Sequence, residues 1–240
     1  MAAEDEKRIA GEAAVELVKD GMAVGLGTGS TVRYFIQRLG QLTGAGKSII
    51  GVPTSMQTER LAVQAGIKVG TLEDHPEWDL TVDGADEVDL RLDLIKGLGG
   101  ALFREKIVAK ASKRFVVVVD SSKVVKNLGE KTPVPVEVHV FGWKATMGWL
   151  SDLGCRPSLR KSGMNPYITD NGNFIVDCAF GGIPDPAALE ETINNIPGAV
   201  QNGIFAGMAD LVIIGKSGGV ERLERAKRAV SAASGSPLSA

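Results

Sequence analysis

Four charged side chains of the types that proton transfer requires lie within one stretch, residues 79–110. Asp83 and Asp86 follow a short apolar run, and Lys96 closes a second one. Glu105 stands near the start of a predicted helix, where a carboxylate can act as a base. An ammonium group can stabilise a negative oxygen that develops during a reaction. The stretch therefore predicts a site for general acid-base chemistry.

Two glycine-rich segments add the means to bind an anion. Gly97, Gly99 and Gly100 come directly after Lys96 and let the backbone approach a ligand closely. A second segment, GTGST at residues 27–31, follows a predicted strand and precedes a predicted helix. Backbone N–H groups and hydroxyls at the positive end of a helix form an anion site. We therefore expect an anionic substrate.

Each charged residue also has an ordinary structural explanation. Asp83 and Asp86 could cap turns, Glu105 could complement the dipole of its helix, and Lys96 could be solvated. For one residue alone this explanation is the stronger one. Because all four occur together beside a glycine cluster, a chemical site is the better interpretation.

A glycine-rich loop between a strand and a helix also occurs in dinucleotide-binding folds. Gly25, Gly27 and Gly29 give the spacing G-x-G-x-G, without the third glycine at the offset that a dinucleotide site uses. The next predicted strand, residues 48–52, runs into Pro-Thr-Ser, so no acidic residue is placed to bind an adenosine ribose. These features argue against a dinucleotide, and we expect no cofactor.

Alternating apolar runs and amphipathic segments predict the scaffold that carries these residues. The predicted helices cover residues 4–19, 32–39, 55–65 and 102–112, and the strands cover residues 22–26, 48–52, 67–69, 79–82, 94–95 and 115–119. On the helix that carries Glu105, we expect Ile107, Val108 and Ala111 to form the apolar side. The alternation indicates an α/β fold with a parallel sheet, whose ligands lie beyond the carboxyl ends of the strands.

The pattern changes at about residue 131, where two prolines bracket Val134. The segments after this point predict a helix over 142–153, a hairpin of 167–169 with 173–178 around Asp-Asn-Gly, and a helix over 186–193. A turn at 203–208 and a buried strand at 209–214 return to the first sheet. We therefore divide the chain into an α/β domain, residues 1–130 and 203–240, and a smaller α+β domain, residues 131–202, at the oligomer interface.

Composition excludes several classes of partner. The chain has 240 residues, 44% of them hydrophobic, and 27 basic against 29 acidic residues give a net charge of -2. This balance offers no general attraction for nucleic acid or an anionic membrane. No apolar run approaches the roughly 20 residues that span a bilayer. The N-terminus is acidic, unlike a signal peptide, so we expect a cytoplasmic protein.

The usual metal ligands are few and scattered. Cys155 and Cys178 belong to no C-x-x-C pattern, and His75 and His139 are isolated from each other. We expect both cysteines to be packing residues and neither histidine to bind a metal. No metal site is predicted.

Several motifs together resemble the ribose-5-phosphate isomerase type A family. They are VDGADEVD with LIKGLGGALFREKIVA in the stretch described above, and, in the family's order, GLGTGSTV (25–32), GVPTSMQT (51–58), VVVVDSSK (116–123) and PVPVEV (133–138). The similarity covers nearly the whole chain up to about residue 224. It implies interconversion of D-ribose 5-phosphate and D-ribulose 5-phosphate in the pentose phosphate pathway, a Rossmann-like domain with a smaller inserted domain, and a homodimer or homotetramer.

The resemblance also implies residue roles. Glu105 matches the family's proton acceptor, Lys96 a group that stabilises charge, and Asp83 and Asp86 the groups that hold sugar hydroxyls and assist ring opening. Lys7 is a further candidate for the phosphate. The positions that match the substrate loops, with Lys123 for the phosphate, are Thr28, Gly29, Ser30, Thr31, Asp83, Gly84, Ala85, Asp86, Lys96, Gly97, Leu98, Gly99 and Lys123.

Two positions depart from the family, and two other functions remain open. Many relatives read K-G-G-G where this chain has Leu98, which matters only if that position needs a positive φ. Phe103 replaces a small polar residue and alters packing. A related amino-sugar phosphate isomerase-deaminase would need a well-placed histidine. A sugar-phosphate sensor of a transcription regulator would need a DNA-binding module, and none is visible before Met22.

Overall fold

The computed structural model describes residues 2–75 and 77–225 of the chain. Its helices are α1 (Ala2–Ala14), α2 (Ser30–Gly44), α3 (Met56–Gln64), α4 (Leu102–Ala111), α5 (Trp143–Ser151) and α6 (Pro186–Asn194). Its strands are β1 (Ala23–Leu26), β2 (Ile50–Pro53), β3 (Lys68–Val69), β4 (Leu80–Asp83), β5 (Glu87–Val88), β6 (Leu94–Ile95), β7 (Phe115–Asp120), β8 (Val134–Val138), β9 (Arg156–Leu159), β10 (Lys161–Ser162), β11 (Asn165–Pro166), β12 (Phe174–Ala179), β13 (Ala199–Asn202), β14 (Ile204–Phe205), β15 (Leu211–Lys216) and β16 (Gly219–Glu224).

A seven-stranded sheet forms the main layer, with the strand order β16-β15-β7-β4-β1-β2-β3. All neighbours in it are parallel except the edge strand β16, which pairs antiparallel with β15. The return of a C-terminal strand to the first sheet was expected, and the structure places this strand, β15, beside β7. The predicted α/β class is confirmed.

Both faces of the central strands are covered, which explains why β7 is a continuous apolar run. Val116 and Val118 pack against the side of α1 and α2, whereas Val117 and Val119 pack on the opposite side with Ala109 of α4. Side chains that alternate along a strand point to opposite faces. Burial on both faces therefore removes the polar alternation that a one-sided strand would show.

Residues 131–202 contain a second sheet of four antiparallel strands, in the order β13-β8-β12-β9. Helices α5 and α6 contribute Leu150 and Ile193 to its core, which also contains Cys155 and Cys178. A small sheet, β14-β6-β5, pairs residues 204–205 with residues 87–95, all within the part of the chain that contains the main sheet. The division into two domains at residues 131 and 202 remains a prediction.

Three expectations about local structure were wrong. The predicted hairpin of 167–169 with 173–178 does not form. Asp170-Asn171-Gly172 makes a turn, but the segment 167–169 before it is not a strand, because β12 already has β8 and β9 as its two neighbours. Helix α1 ends at Ala14, and a 3-10 turn, Val15–Leu17, follows it. Ile107 is 41% exposed, because α4 turns its buried face to the site that contains Glu105.

The structure agrees with most of the other predicted elements to within a few residues. The C-terminal segment assigned to the first domain is described only as far as residue 225, so the rest of that assignment lies outside the described residues. Among the residues that are described, no helix is long and apolar enough to cross a membrane.

Candidate active site

Loops at the carboxyl ends of β1, β4 and β7 surround a cavity of about 100 Å³. This is the edge at which ligands bind in parallel α/β sheets. Lys7 apart, the sequence nominated fourteen residues, and twelve of them line it: Thr28, Gly29, Ser30, Thr31, Gly84, Ala85, Asp86, Lys96, Gly97, Gly99, Glu105 and Lys123. The other two do not line it, since Asp83 is buried behind the wall and Leu98 is turned to solvent.

Asp83 ends β4 and is fully buried. Its Oδ1 accepts hydrogen bonds from the N–H groups of Thr28, at 3.1 Å, and Gly84, at 2.7 Å. A Cβ atom at Gly27 would lie 2.1 Å from this oxygen, so only glycine fits beside it. The GTGST loop is therefore fixed against the end of β4 by one carboxylate.

Lys96 is 2% exposed and faces two carboxylates. Its Nζ lies 2.9 Å from Oδ2 of Asp83 and 3.3 Å from Oε2 of Glu105, and it donates a 2.6 Å hydrogen bond to the carbonyl of Gly84. Burial lowers the pKa of the Lys96 ammonium, but the carboxylates of Asp83 and Glu105 outweigh burial and raise it overall. The ammonium therefore remains charged, with its position fixed.

Glu105 lies in the first turn of α4 and is 3% exposed. Burial and then the charge of Asp83 raise its pKa from 4.5 to about 8, although Lys96 acts in the opposite direction. Burial also raises the pKa of Asp83, against the effect of Lys96. Among the described residues, Oε2 of Glu105 accepts no hydrogen bond of good geometry, so it can accept a proton.

The loop after Lys96 has an unusual backbone at two glycines. Gly97 and Gly100 have φ values of 97° and 85°, which side-chain residues rarely adopt. Leu98 is not among the positive-φ residues, so the departure from K-G-G-G does not strain the loop. Its N–H donates to Oδ2 of Asp86 at 2.9 Å. The loop thus holds the second aspartate of the site.

The candidate anion site lies at the start of α2. Gly29 precedes the helix with a φ of 139°, and the first N–H groups of a helix have no partner within it. The hydroxyl of Thr28, however, lies in a hydroxyl cluster, 2.8 to 2.9 Å from Thr54, Ser55 and Thr58. Thr28 therefore joins α2 to α3, and the N–H groups of residues 29–31 are the better anion donors.

Lys123 and Lys7 differ in their relation to the cavity. Lys123 lies in a 3-10 turn, Ser121–Lys123, whose first residue is held by the carboxylate of Glu6 through its N–H and hydroxyl groups. Lys7 instead lies 3.6 Å from the carboxylate of Glu4 and does not line the cavity. Of these two lysines, Lys123 is in place to meet an anion there.

Sequence reasoning missed the groups that hold the loop from outside. Arg160 donates 2.9 Å hydrogen bonds from Nη1 to the carbonyls of both Gly97 and Leu98, and Tyr167 donates to Gly99 at 3.4 Å. Both come from the second part of the chain. No local pattern could have revealed them, since they lie more than sixty residues from the loop.

A larger cavity, of about 390 Å³, lies between β2 and α4, beside Val52 and Val108. Its cation, Arg104, is already bound to the turn at Asp170 and Asn171. The smaller cavity is lined by the buried Glu105 and Lys96, with Asp83 directly behind Lys96, so it is the candidate active site.

The two isolated histidines make ordinary structural contacts. The ring of His75 packs edge-on against Trp78, and Nδ1 of His139 accepts from the N–H of Phe141. Among the residues that the structure covers, no three side chains of His, Cys, Asp or Glu are grouped to hold a metal ion.

Comparison with known proteins identifies the family. The family model described as ribose 5-phosphate isomerase A (phosphoriboisomerase A) matches residues 50–219. The ribose-5-phosphate isomerase A of Gloeobacter violaceus is 51% identical over 218 residues, which cover 90% of this chain and 95% of that protein.

Solved structures agree with this assignment. A D-ribose-5-phosphate isomerase in complex with phospho-erythronic acid is 46% identical and has a TM-score of 0.91, covering 94% of this chain and 100% of that one. The ribose 5-phosphate isomerase A of Methanocaldococcus jannaschii is 45% identical, with a TM-score of 0.88, covering 92% of this chain and 99% of that one. The resemblance of the motifs is thereby confirmed, and the chain belongs to the ribose-5-phosphate isomerase A family.

Proposed function

We propose that this chain interconverts D-ribose 5-phosphate and D-ribulose 5-phosphate, a step of the pentose phosphate pathway, with Glu105 as the base. The observation that carries the proposal is the buried group of Glu105, Lys96 and Asp83 beside an anion site. An aldose-ketose isomerase needs a base that moves a proton between neighbouring carbons and a cation that stabilises the enediolate. The relatives that carry this name support an isomerase over a deaminase or a sensor.

The carboxylate of Glu105 removes the proton from C2 of the open-chain aldose. The electron pair moves into the C1–C2 bond, and the carbonyl oxygen on C1 becomes negative. Lys96 stabilises this charge. The proton of the C2 hydroxyl is transferred to the negative O1 as C2 becomes a carbonyl and O1 becomes a hydroxyl, while Glu105 returns its proton to C1. The cycle leaves Glu105 in its starting form.

The remaining site residues bind and orient the sugar. Asp86, which lines the cavity, holds a sugar hydroxyl and assists ring opening, whereas the buried Asp83 acts by holding Lys96 and the loop at Thr28. The phosphate accepts hydrogen bonds from the N–H groups of residues 29–31 and from the ammonium of Lys123. This arrangement suits a dianion at a helix N-terminus. A related isomerase was solved in complex with phospho-erythronic acid, which supports a phosphorylated sugar as the ligand. That acid has a phosphate at one end and, at the other, a planar carboxylate that resembles an enediolate.

The test uses purified protein, ribose 5-phosphate, deuterated water and a chelator. We expect ribulose 5-phosphate to form, with solvent deuterium incorporated at the transferred position. Glu105→Gln should lower kcat by about 10³-fold while the substrate still binds, because the shape is kept and the base is removed. Glu191→Gln, an exposed change on α6, is the matched control. Near-normal turnover by Glu105→Gln would refute the role of the base.

The chelator separates two chemistries. A carboxylate base working with an ammonium needs no metal, so activity should persist in its presence. Complete inhibition that added metal reverses would replace the enediolate mechanism with a metal-assisted hydride shift.

We also propose that the chain acts in the cytoplasm as a homodimer or homotetramer. Large apolar side chains are exposed on the second part of the chain, with Phe141 85%, Met164 95% and Ile168 63% exposed. Exposed apolar groups of this size favour contact with another subunit. Light scattering on the purified protein tests the oligomer, and a monomeric mass would refute it. Recovery of activity outside the cytoplasmic fraction would refute the location.

A further inference from the structure

The loop at residues 97–100, which forms one wall of the cavity, is held by side chains from residues 131–202. Arg160 follows β9, and its Nη1 donates to the carbonyl oxygens of Gly97 and Leu98 at 2.9 Å each. Tyr167 adds a weaker contact at 3.4 Å to the carbonyl of Gly99. Three successive carbonyl groups of the loop are therefore bound from outside the cavity.

The guanidinium of Arg160 is itself fixed. Its Nε donates to Oδ2 of Asp177 at 2.9 Å and its Nη2 donates to Oδ1, so the pair is bidentate. The two side chains are only 12% and 18% exposed. The guanidinium also lies 5.9 Å from the centre of the Tyr167 ring. A planar fork held on two edges presents its remaining donors in one direction.

The direction of these carbonyls determines the direction of the N–H groups that come after them. In a trans peptide, the C=O and the next N–H point to opposite sides of the chain within one plane. The Gly97–Leu98 peptide therefore directs its N–H away from Arg160, and this N–H meets Oδ2 of Asp86 at 2.9 Å. One hydrogen-bonded chain thus links the Arg160 guanidinium to the carboxylate of Asp86.

The next peptide has its N–H unoccupied. The carbonyl of Leu98 is bound to Arg160, and the N–H of Gly99 has no acceptor within the described residues. Gly99 lines the cavity across from Thr28. An unoccupied N–H that is fixed in direction, in a cavity that Lys96 also lines, is a preorganised donor for a negative oxygen.

We propose that Arg160 is a positioning residue for the isomerisation, which directs the N–H of Gly99 at the oxygen that becomes negative and keeps Asp86 in place. Asp177 acts only through Arg160. The inference rests on the proposed function, because the N–H needs a developing oxyanion to stabilise. Residues 131–202 thereby contribute to catalysis by positioning the loop at residues 97–100.

The expected effect is on kcat more than on KM. Arg160→Gln should lower kcat by about 10- to 100-fold, since a misdirected donor loses part of its stabilisation of the transition state. KM should change by less than about threefold, because the phosphate donors are untouched. The pH dependence of kcat/KM should remain unchanged, since the surroundings of Glu105 are the same. Arg160→Lys should recover little, because an ammonium lacks the planar fork.

A double-mutant cycle tests the path through Asp177. Asp177→Asn should also lower kcat, but by a smaller factor than Arg160→Gln. In the Arg160→Gln background it should cause no further loss of kcat. Arg156→Gln, an exposed change at the start of β9, is the control and should keep wild-type activity. Additive losses in the double variant, or a wild-type kcat for Arg160→Gln, would overturn the proposal.

Binding measurements separate positioning from general damage. Arg160→Gln should weaken the binding of phospho-erythronic acid by about the same factor as it lowers kcat. Inorganic phosphate should bind to the variant as tightly as to the wild type. Equal loss of both ligands would overturn a positioning role. If Arg160→Gln does not fold, Asp177→Asn and Arg160→Lys give the same comparison. An inactive wild type would defeat the proposed function, whereas an active wild type matched by Arg160→Gln would defeat only this inference.

Discussion

Replacing Glu105 by glutamine should stabilise the protein increasingly as the pH rises, while it removes activity. Burial raises the pKa of this carboxyl from 4.5 to about 8, so the folded protein holds a proton that the unfolded chain has released. When the folded state binds more protons than the unfolded state, the free energy of unfolding falls with rising pH. The wild type should therefore lose stability between these two pKa values, and Glu105→Gln should not.

The magnitude comes from the pKa shift. One pH unit corresponds to about 1.4 kcal/mol for a single proton. The shift of about 3.5 units sets an upper limit of about 5 kcal/mol for the whole effect. Between about pH 5.5 and about pH 7.5 the stability gap between variant and wild type should widen by roughly 3 kcal/mol. Below about pH 4.5 the two proteins should be nearly equal, because the carboxyl is neutral in both states.

Urea unfolding at one fixed protein concentration measures this gap, with the fluorescence of the fully buried Trp78 among its reporters. Fixing the concentration keeps any contribution of subunit association constant. Glu191→Gln, on the exposed side of α6, controls for the substitution itself and should follow the wild-type pH dependence. A gap between Glu105→Gln and wild type that does not change with pH would refute the argument that Glu105 is buried with a raised pKa.

Two further predictions concern the reaction and the loop. Because Glu105 must lose its proton to act as a base, kcat/KM should rise with pH and level off above about 8, and a flat profile from about pH 6 to about pH 9 would contradict its role. Gly100→Ala should destabilise the loop and lower kcat/KM by about tenfold or more, because the φ of Gly100 is 85° and a Cβ atom there would lie 2.2 Å from the Tyr167 hydroxyl. Leu98→Gly, at a position without a positive φ, should keep activity within about threefold in the same assay, and a larger loss would show that the Leu98 side chain matters.

Local patterns were sufficient for the class of fold and for nominating residues that the fold brings together at one cavity. Strand and helix periodicity arises from residues a few positions apart, so the order of strands and helices before residue 131 could be predicted. The glycine segments and the charged residues of 79–110 could be nominated because their chemistry depends on residue type. Twelve of the fourteen nominated residues line one cavity.

Only the tertiary structure decided what these residues can do. The raised pKa of Glu105 depends on burial and on its distance from Asp83 and Lys96, which no spacing reveals. The exposed Ile107 shows the same limit, because α4 buries Glu105 and Lys106 together with Val108, so its buried side does not follow from the apolar positions alone.

Contacts between distant segments explain the remaining differences. Strand β12 pairs with β8 and β9, because pairing is set by burial of a sheet face and not by a turn sequence alone. Arg160 reaches the substrate loop from 63 positions away. The sequence determined which residue types the site has, through short-range patterns. The packing of distant segments determined their charge, direction and accessibility, because these depend on what surrounds each group.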